Sequence, residues 1–368
     1  MSNTFIDLEK IGQRMLPRFL ENLLMPQLVY KDYSNEFVNG LGSTIQIRKP
    51  FEFTASEFNG TVSPQDINEQ SITVTLDKIS DVTVSVSALS MAMQMGDVKL
   101  NEIIDGMAVA LAQKVNNDGL GMVCSAGKVL KKPAEAYDLD DIADFRLILN
   151  DEKAPMQERR IVWNTNADAD FTRIGNLIKV NESGTSTALR EGEIGRIFGC
   201  DNYMAQTLPK SNTAHGITAT VASKSATDAH VLQTTASACT LVAGDTIKLS
   251  NGADAPKHLI KDVKATASGY DITLIDEIGA SETITAGQIA VVASETSFGF
   301  HKNAVAFVTR PLSAPAGDTS KVAVVNYNGI ALRLVRDYDI THKTDIISVD
   351  ILYNYQMITP EHAVAIVK

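Results

Sequence analysis

The sequence predicts an α+β fold into which a separate all-β domain is inserted. Two early segments, 44–53 and 71–89, alternate apolar and polar residues and indicate β-strands. Residues 97–127 place apolar side chains at three- and four-residue spacing, which is typical of an amphipathic helix. The composition then changes between Ser211 and Thr296, where 37 of 86 residues are Ser, Thr or Ala and none is Arg, Met, Trp or Phe.

The bulk composition is that of an ordinary globular protein. The chain has 368 residues, of which 44% are hydrophobic and 21% charged, and this length suffices for two or three domains with their own cores. No run approaches the roughly 18 apolar residues of a membrane span. Charged residues also interrupt the start of the chain, where a signal peptide needs an apolar block. We therefore expect a protein kept in a cytoplasm, with no membrane partner.

Net charge and cysteine usage narrow the class of protein further. The charge of −11 argues against a protein that grips nucleic acid through its phosphates, although DNA can lie close to such a surface without tight binding. The three cysteines are isolated and lack CxxC spacing, which predicts reduced and mostly buried thiols.

The N-terminal segment, 5–25, has the pattern of a broken amphipathic helix. Pro17 interrupts the pattern and Pro26 is predicted to end it. The polar face has no excess of Lys and Arg, so packing against a partner or the protein's own body is favoured over a membrane surface.

The connection FNGTVSPQDINEQ, residues 58–70, separates the two early strands. It is polar and carries the turn residues Gly60 and Pro64, with Val62 and Ile67 as its apolar side chains. Ordering each backbone residue costs roughly 1–2 kcal/mol, which two apolar side chains do not offset. The loop is therefore predicted either to be ordered by something outside this chain or to be a mobile surface hairpin.

The helical segments have recognisable ends. Asp97 is placed to cap the helix over 97–127, Gly127 to stop it, and Gly119 and Gly121 to break it late. A second helix is predicted over 139–151, a buried strand over 161–164 and a third helix over 167–179. The acidic cluster at the start of the second helix suits a helix N-terminus better than a metal site; it consists of Asp138, Asp140 and Asp141.

Short strands with turn signals every eight to twelve residues fill the region of altered composition, which predicts a small sandwich or barrel. Mixed α/β sequence lies on both sides, so this domain is predicted to be inserted and not appended. Longer alternating strands resume over 297–357.

No motif predicts a catalytic, cofactor-binding or metal site. Phosphate loops, dinucleotide fingerprints, GxSxG and HExxH are absent, and the six histidines are scattered. NADAD at 166–170 resembles an acidic metal loop, but Phe171 and Leu177 stand where that loop needs Gly and Glu. We therefore predict no catalytic residue, no cofactor and no metal, and we interpret NADAD as a helix start.

Three later segments together resemble the major capsid proteins of tailed phages. They are GEIGRIFGCDNYMAQTLP (192–209), FGFHKNAVAFVTRPL (298–312) and the closing stretch 328–367, which ends in a Tyr-containing strand and a short Ala/Val strand. The resemblance covers about three quarters of the chain and lies in the order of the segments. The middle insertion is similar to the short-tailed-phage coat proteins that carry an immunoglobulin-like domain.

The resemblance implies a particular organisation of the chain. An N-terminal arm, an extended β-hairpin loop, a peripheral domain with a long spine helix and an axial domain are expected, followed by the insertion and a return to both main domains. The corresponding ranges are 1–38, 39–90, 91–137, 138–209, 210–296 and 297–368.

It also implies three sets of functional residues. The extended loop would contact a neighbouring subunit through Phe51, Phe53, Phe58, Pro64, Asp66 and Glu69. Candidate loops of the insertion would make charged contacts, or simply face solvent, through Asp254, Lys257, Lys261, Asp262 and Lys264. The spine helix would bend during maturation, or only pack closely, at Gly106, Gly119 and Gly121.

The function implied is assembly. One chain would form pentamers and hexamers of an icosahedral shell, with a scaffolding protein and a portal as partners. Double-stranded DNA would be enclosed without sequence-specific binding, and subunits would rearrange as the shell matures. The shell would assemble in the host bacterial cytoplasm and become the virion capsid, with no Lys–Asn cross-link predicted.

Three alternatives remain open from the sequence. A bacterial nanocompartment shell, similar to the encapsulins, uses the same fold to enclose an enzyme. A soluble enzyme would need a site built from distant residues, and its signature would be a monomer with a bound cofactor. An adhesin or tail protein would be trimeric or extended.

Overall fold

The structure is a computed structural model of the whole chain that carries side chains. It describes residues 15, 19, 23–31, 44–48, 71–87, 97–132, 136–175, 194–225, 228–250, 256–267, 269–279, 282, 284–285, 289–310, 312, 322–327 and 330–368.

The chain is mixed α+β, with few helices and many strands. The α-helices are α1 Met25–Leu28, α2 Asp97–Leu120, α3 Leu139–Asp151 and α4 Thr165–Phe171, with 3-10 helices at Gly121–Ser125, Lys302–Ala304 and Pro360–His362. The strands are β1 Thr44–Arg48, β2 Ser71–Thr75, β3 Lys78–Ser87, β4 Lys128–Lys131, β5 Arg159–Trp163, β6 Arg196–Ile197, β7 Cys200–Met204, β8 Ile217–Lys224, β9 Val231–Cys239, β10 Thr246–Lys248, β11 Lys257–Ala265, β12 Tyr270–Leu274, β13 Ala290–Val291, β14 Thr296–His301, β15 Val305–Arg310, β16 Val322–Tyr327, β17 Ile330–Asp339, β18 Thr344–Met357 and β19 Ala363–Val367.

These elements form two compact units, each assembled from separate parts of the chain. The first unit comprises Met1–Asn22, Lys31–Ala112 and Phe307–Ile358. The second unit comprises the remaining segments, which are Leu23–Tyr30, Gln113–Ala306 and Thr359–Lys368.

The first unit is built on antiparallel strand pairs. β1 pairs with β2 in a two-stranded sheet, as the alternation in the sequence predicts. A larger sheet has the order β15-β18-β17-β16, and β3 pairs with β18 along its whole length. The inner face of this sheet buries aromatic rings at contact distance, with Phe307 and Tyr355 centroids 4.8 Å apart. Close ring packing of this kind contributes beyond the apolar area that it removes from water.

The second unit is centred on a six-stranded sheet with the order β4-β19-β14-β5-β7-β6. Its middle strands, β14 and β19, are buried along their whole length, and α3 packs across them. The ring of Phe145 lies directly over Gly299 of β14, where a Cβ atom would be 2.7 Å from the Phe145 Cδ2. The Phe-Gly-Phe segment of β14 therefore forms part of the surface against which α3 packs.

The start of α3 has the chemistry that its predicted acidic cluster suits. Asp138 accepts hydrogen bonds from the backbone N–H groups of Asp140 and Asp141, and the Asp141 side chain accepts one from the Asp138 N–H in return. This capping box satisfies donors that the first turn leaves unpaired. Asn164 caps α4 by accepting from the Ala167 N–H at 2.7 Å, so the NADAD segment does begin a helix.

A second six-stranded sheet contains every described strand from β8 to β13, in the order β13-β10-β11-β12-β9-β8. Its apolar side chains form a core of their own around Leu232, Ile260 and Ile272. The chain segments on either side of this sheet lie together, since Lys210 and Glu295 form an antiparallel bridge. β11 pairs with β10 through Lys257–Leu259 and with β12 from Ile260 onward. The sandwich or barrel, its immunoglobulin-like form and the domain limits stay predictions.

α2 stops at Leu120 and a 3-10 helix begins at Gly121, so the long helix breaks late at the predicted glycines and does not continue to Gly127. Two other local predictions were wrong. Pro26 was expected to end a helix but lies in the first turn of α1, where the missing N–H of proline is tolerated. α4 begins at Thr165 and its described turns end at Phe171.

Candidate assembly surfaces

The predicted contact residues of the extended loop lie outside the described residues, as does Asp254. They are Phe51, Phe53, Phe58, Pro64, Asp66 and Glu69. The strands at the base of that loop are in place, with Arg48 opposite Ser71 as the last pair before the connection. The loop contact therefore stays a prediction.

The charged residues of the insertion lie on β11 and not on loops, so their predicted placement was wrong. Lys257, Lys261, Asp262 and Lys264 all belong to this strand. Lys257 pairs with β10, and the ladder to β12 runs from Ile260 to Ala265 with a register shift after Ile260. The shift is a bulge, which turns the following side chains to the other face. Their role in subunit contacts stays a prediction.

Lysines of this sheet also lie close to one another. Lys257 is directly opposite Lys248 of β10. Burial, and then the nearby Lys248, lower the pKa of the Lys257 ammonium. Like charges directly opposite one another destabilise a strand pair.

The three glycines of the predicted bend lie at and near the end of the long helix. Gly106 is a solvent-exposed residue in the middle of α2. Gly119 is in the last turn of α2, and Gly121 begins the 3-10 helix. A Cβ atom at Gly106 or Gly121 would meet no atom of the described residues within 4 Å. The bend and the close packing both stay predictions.

The β17–β18 hairpin of the first unit presents an apolar tip that sequence reasoning did not single out. Ile340 is 80% exposed and Tyr338 46% exposed. The Asp339 carboxylate fixes the turn by accepting from the Thr341 N–H at 2.8 Å and by contacting His342 Nδ1 at 2.5 Å. The His342 contact, and then the Thr341 N–H, lower the pKa of Asp339. The tip is therefore a candidate contact surface, formed by a hydrogen-bonded turn with Ile340 and Tyr338 exposed on it.

A second apolar projection lies in the other unit, where a tight turn joins β6 to β7. Phe198 is 46% exposed at a backbone φ of 49°, a left-handed conformation that is uncommon for a bulky residue. Arg146 of α3 donates to the Phe198 carbonyl at 3.2 Å, and its neighbour Leu147 is 56% exposed. Arg146 therefore fixes the strained turn, and Phe198 and Leu147 are both exposed apolar side chains near it.

A buried charge cluster ties the second sheet to β4. His258 is fully buried, with Nδ1 2.7 Å from Asp276 and Nε2 3.2 Å from Glu282. Lys131 of β4 lies 2.5 Å from the same Asp276 oxygen. These contacts have ion-pair distances but not hydrogen-bond angles. Burial alone raises the pKa of Asp276, but His258 and Lys131 outweigh it and hold the pKa below its usual 3.8.

We expect Asp276→Asn to lower the free energy of unfolding by about 1–3 kcal/mol at pH 7, because it removes the carboxylate that lies against the buried His258 ring and the Lys131 ammonium. A lowered folded pKa means that the ionised group stabilises the fold above pH 3.8 and that this contribution is lost as pH falls through the folded value. Urea unfolding from pH 7 to pH 3 should therefore show the difference shrinking. Glu277→Gln is the control, since that side chain is 72% exposed and should change stability little. Equal stability of Asp276→Asn and wild type at pH 7 would contradict the role of the cluster.

The thiols agree with the sequence prediction of mostly buried, reduced cysteines. Cys124 and Cys200 are buried and Cys239 is half-buried, and all three are free. Burial raises the pKa of the Cys124 thiol to about 11, so it is a poor nucleophile at neutral pH. Within the described ranges, no three His, Cys, Asp or Glu side chains are grouped as metal ligands. Among the helices in those ranges, none has the length and apolar character to cross a bilayer.

Comparison with known proteins gives matches in structure only. No protein-family model and no curated protein sequence matches this chain. A solved structure from Mycobacterium phage Che8 is 15% identical, has a TM-score of 0.55 and covers 94% of this chain and 90% of its own. The capsid structure of Cyanophage P-SCSP1u is 14% identical, has a TM-score of 0.50 and covers 89% of this chain and 83% of its own.

At these identities the likeness establishes the fold. It extends over nearly the whole chain, and it confirms the α+β phage capsid fold that the order of sequence segments predicted. The signal for that fold was the run of elements along the chain, since no single motif was specific.

Proposed function

We propose that this chain is a major capsid protein that assembles as pentamers and hexamers into an icosahedral shell around double-stranded DNA. The observation that carries the proposal is the fold shared with the Cyanophage P-SCSP1u capsid over 89% of the chain. A structural role, with no catalytic step, is the reading that best suits such a fold.

The surfaces of the chain support assembly. The hairpin tip at Ile340 and the projection at Phe198 expose large apolar side chains that a contact between copies could bury. The polar loop over 58–70 has too few apolar side chains to order itself. Contacts between copies of the chain would bury the first two surfaces and order the loop.

Heterologous contacts of this kind close into rings when the rotation between copies permits. Each contact can be weak, because many of them act together in a shell. The acidic chain, with a net charge of −11, suits an enclosed DNA that is not gripped. A scaffolding protein and a portal are proposed partners, and a bend of the long helix near Gly121 is the proposed maturation step.

Sedimentation velocity of the chain expressed alone tests the proposal. We expect particles of megadalton mass, because contacts that are weak one by one become strong in a closed shell. A species that stays at the monomer mass of 39.7 kDa at every concentration, and also when the scaffolding protein is co-expressed, would refute it. Nucleic acid inside the particle would support a phage shell, and a co-purifying enzyme would favour a nanocompartment.

The same measurement on variants of the hairpin tip locates one contact. Ile340→Asp places a charge at the apex of a turn that is held by Asp339 and not by Ile340, so the subunit should fold and assembly should fall sharply. Ile340→Val keeps an apolar tip and should assemble as wild type does. Normal assembly of Ile340→Asp would show that the hairpin tip is not a subunit contact. The proposal of a shell would still stand.

A further inference from the structure

Two histidines that are far apart in the sequence meet at one corner of the second unit. His301 ends β14, and His362 lies in the 3-10 helix just before β19. The pairing of β14 with β19 brings them together, with ring centroids 6.2 Å apart and planes at 77°. His301 is 4% exposed, so this ring is a buried titratable group with a second imidazole as its neighbour.

The His301 ring caps a 3-10 turn, and this role requires the neutral form of the ring. Its Nδ1 accepts a hydrogen bond from the Asn303 N–H at 3.3 Å and so caps the 3-10 turn Lys302–Ala304. A ring nitrogen that accepts cannot carry a proton, so Nδ1 is bare and the neutral ring keeps its proton on Nε2. Protonation at Nδ1 would turn this acceptor into a donor that faces another donor.

The charged groups around His301 also disfavour a second proton. Arg159 is directly opposite it on β5 and is itself buried, while His362 faces it from the 3-10 helix. Glu158 is the one nearby acid among the groups that act on the ring, and it is already paired with Lys302 at 2.8 Å. Burial, and then His362, lower the pKa of His301.

The capped turn lies where the chain leaves the unit. The second unit ends at Ala306 and resumes at Thr359, and the Thr359 N–H donates to the Ala304 carbonyl at 3.3 Å. The Tyr30 N–H donates to Val305 at 3.1 Å. Backbone hydrogen bonds therefore join Thr359 to the last residue of the capped turn and Tyr30 to the residue that follows it.

We propose that His301 is a pH-sensitive latch, whose protonation releases the Lys302–Ala304 turn and loosens the segments around it. Above neutrality the bare Nδ1 holds the turn closed. In acid the cap is lost and a cation appears beside Arg159 and His362. This inference does not depend on the proposed shell function.

The sign of the pH effect follows from linkage. Because the folded chain resists protonation of His301, the unfolded chain takes up this proton at a higher pH. Stability from this residue is therefore complete above the ordinary value of 6.5. It falls as pH drops through 6.5, until the folded ring is also protonated.

Hydrogen exchange of the full chain, read by mass spectrometry over 300–306 and corrected for intrinsic rates, tests the latch. We expect wild type to exchange about tenfold faster at pH 5 than at pH 7, the ratio set by one lost cap. His301→Asn keeps a capping oxygen that does not titrate and should change less than about threefold. His230→Gln, at a half-exposed histidine in the turn before β9, should behave as wild type does. The same pH response in wild type and His301→Asn would overturn the proposal.

A measurement on wild type alone covers the case in which His301→Asn fails to fold. The His301 ring should titrate below pH 6.5 in an NMR pH series, and the Asn303 amide resonance should shift with the same midpoint. A midpoint at or above 6.5, or an Asn303 amide that does not follow it, would equally overturn the latch.

Discussion

Gly299→Ala should lower the free energy of unfolding by about 3 kcal/mol, the upper range for overpacking a filled core. The added methyl group would lie 2.7 Å from the Phe145 Cδ2, and Phe145 is fully buried between α3 and the sheet. Neither side can yield easily, because β14 is paired on both sides, with β5 and β19. The urea midpoint reported by the fluorescence of Trp163, the single tryptophan, measures the loss.

Two further variants separate overpacking from a general intolerance of alanine. Gly106→Ala adds the same methyl group to an exposed helical position with open space around it, and it should raise stability by about 0.5–1 kcal/mol. Phe145→Leu combined with Gly299→Ala should recover part of the loss, since neighbours that share a cavity are not additive. A Gly299→Ala variant as stable as wild type would show that α3 can shift, contrary to the packing described.

Trp163→Ala should cost about 3–5 kcal/mol, the range for removing a buried tryptophan. Trp163 is fully buried in β5, with its ring 4.8 Å from Phe171 and 5.7 Å from Tyr137. Its Nε1–H donates to the Asn202 side chain at 2.9 Å. Alanine would leave a cavity between α4 and the sheet. It would also leave the Asn202 Oδ1 acceptor without its donor. Circular dichroism in urea is the measurement, because the fluorescent probe is removed.

Trp163→Phe is the matched variant for this position. It keeps an aromatic ring against Phe171 but loses the hydrogen bond to Asn202, so its cost should be near that of one unsatisfied buried group, about 1–3 kcal/mol. If both variants cost the same, the hydrogen bond and not the ring packing would dominate at this site.

The sequence was most informative where the structure depends on near neighbours. The alternation over 71–89 and 321–357 predicted strands, because one face of each antiparallel strand is buried and the side-chain period is two. Asp138 and the start of α3 followed from capping chemistry. The order of these elements was enough to predict the capsid fold.

Prediction from sequence failed where a long-range contact overrides a local signal. The lysines and Asp262 of β11 were expected on candidate loops. β11 nevertheless runs through them, pairing first with β10 and then, across a register shift after Ile260, with β12.

The candidate sites also depend on long-range contacts that the sequence did not indicate. The tip at Ile340 and the turn at Phe198 had no signal in the sequence beyond an apolar residue beside turn residues. The His258 cluster joins Lys131 to Asp276 from elements that no local pattern relates. The pairing of β14 with β19 likewise places His301 beside His362.

The sequence by itself determined the strands, the helix starts and their order, because hydrophobic period and capping act over a few residues. Only the tertiary structure decided which distant charged, aromatic and imidazole groups meet. Those contacts depend on strand order and register, which are selected by burial of the whole sheet and not by any one segment.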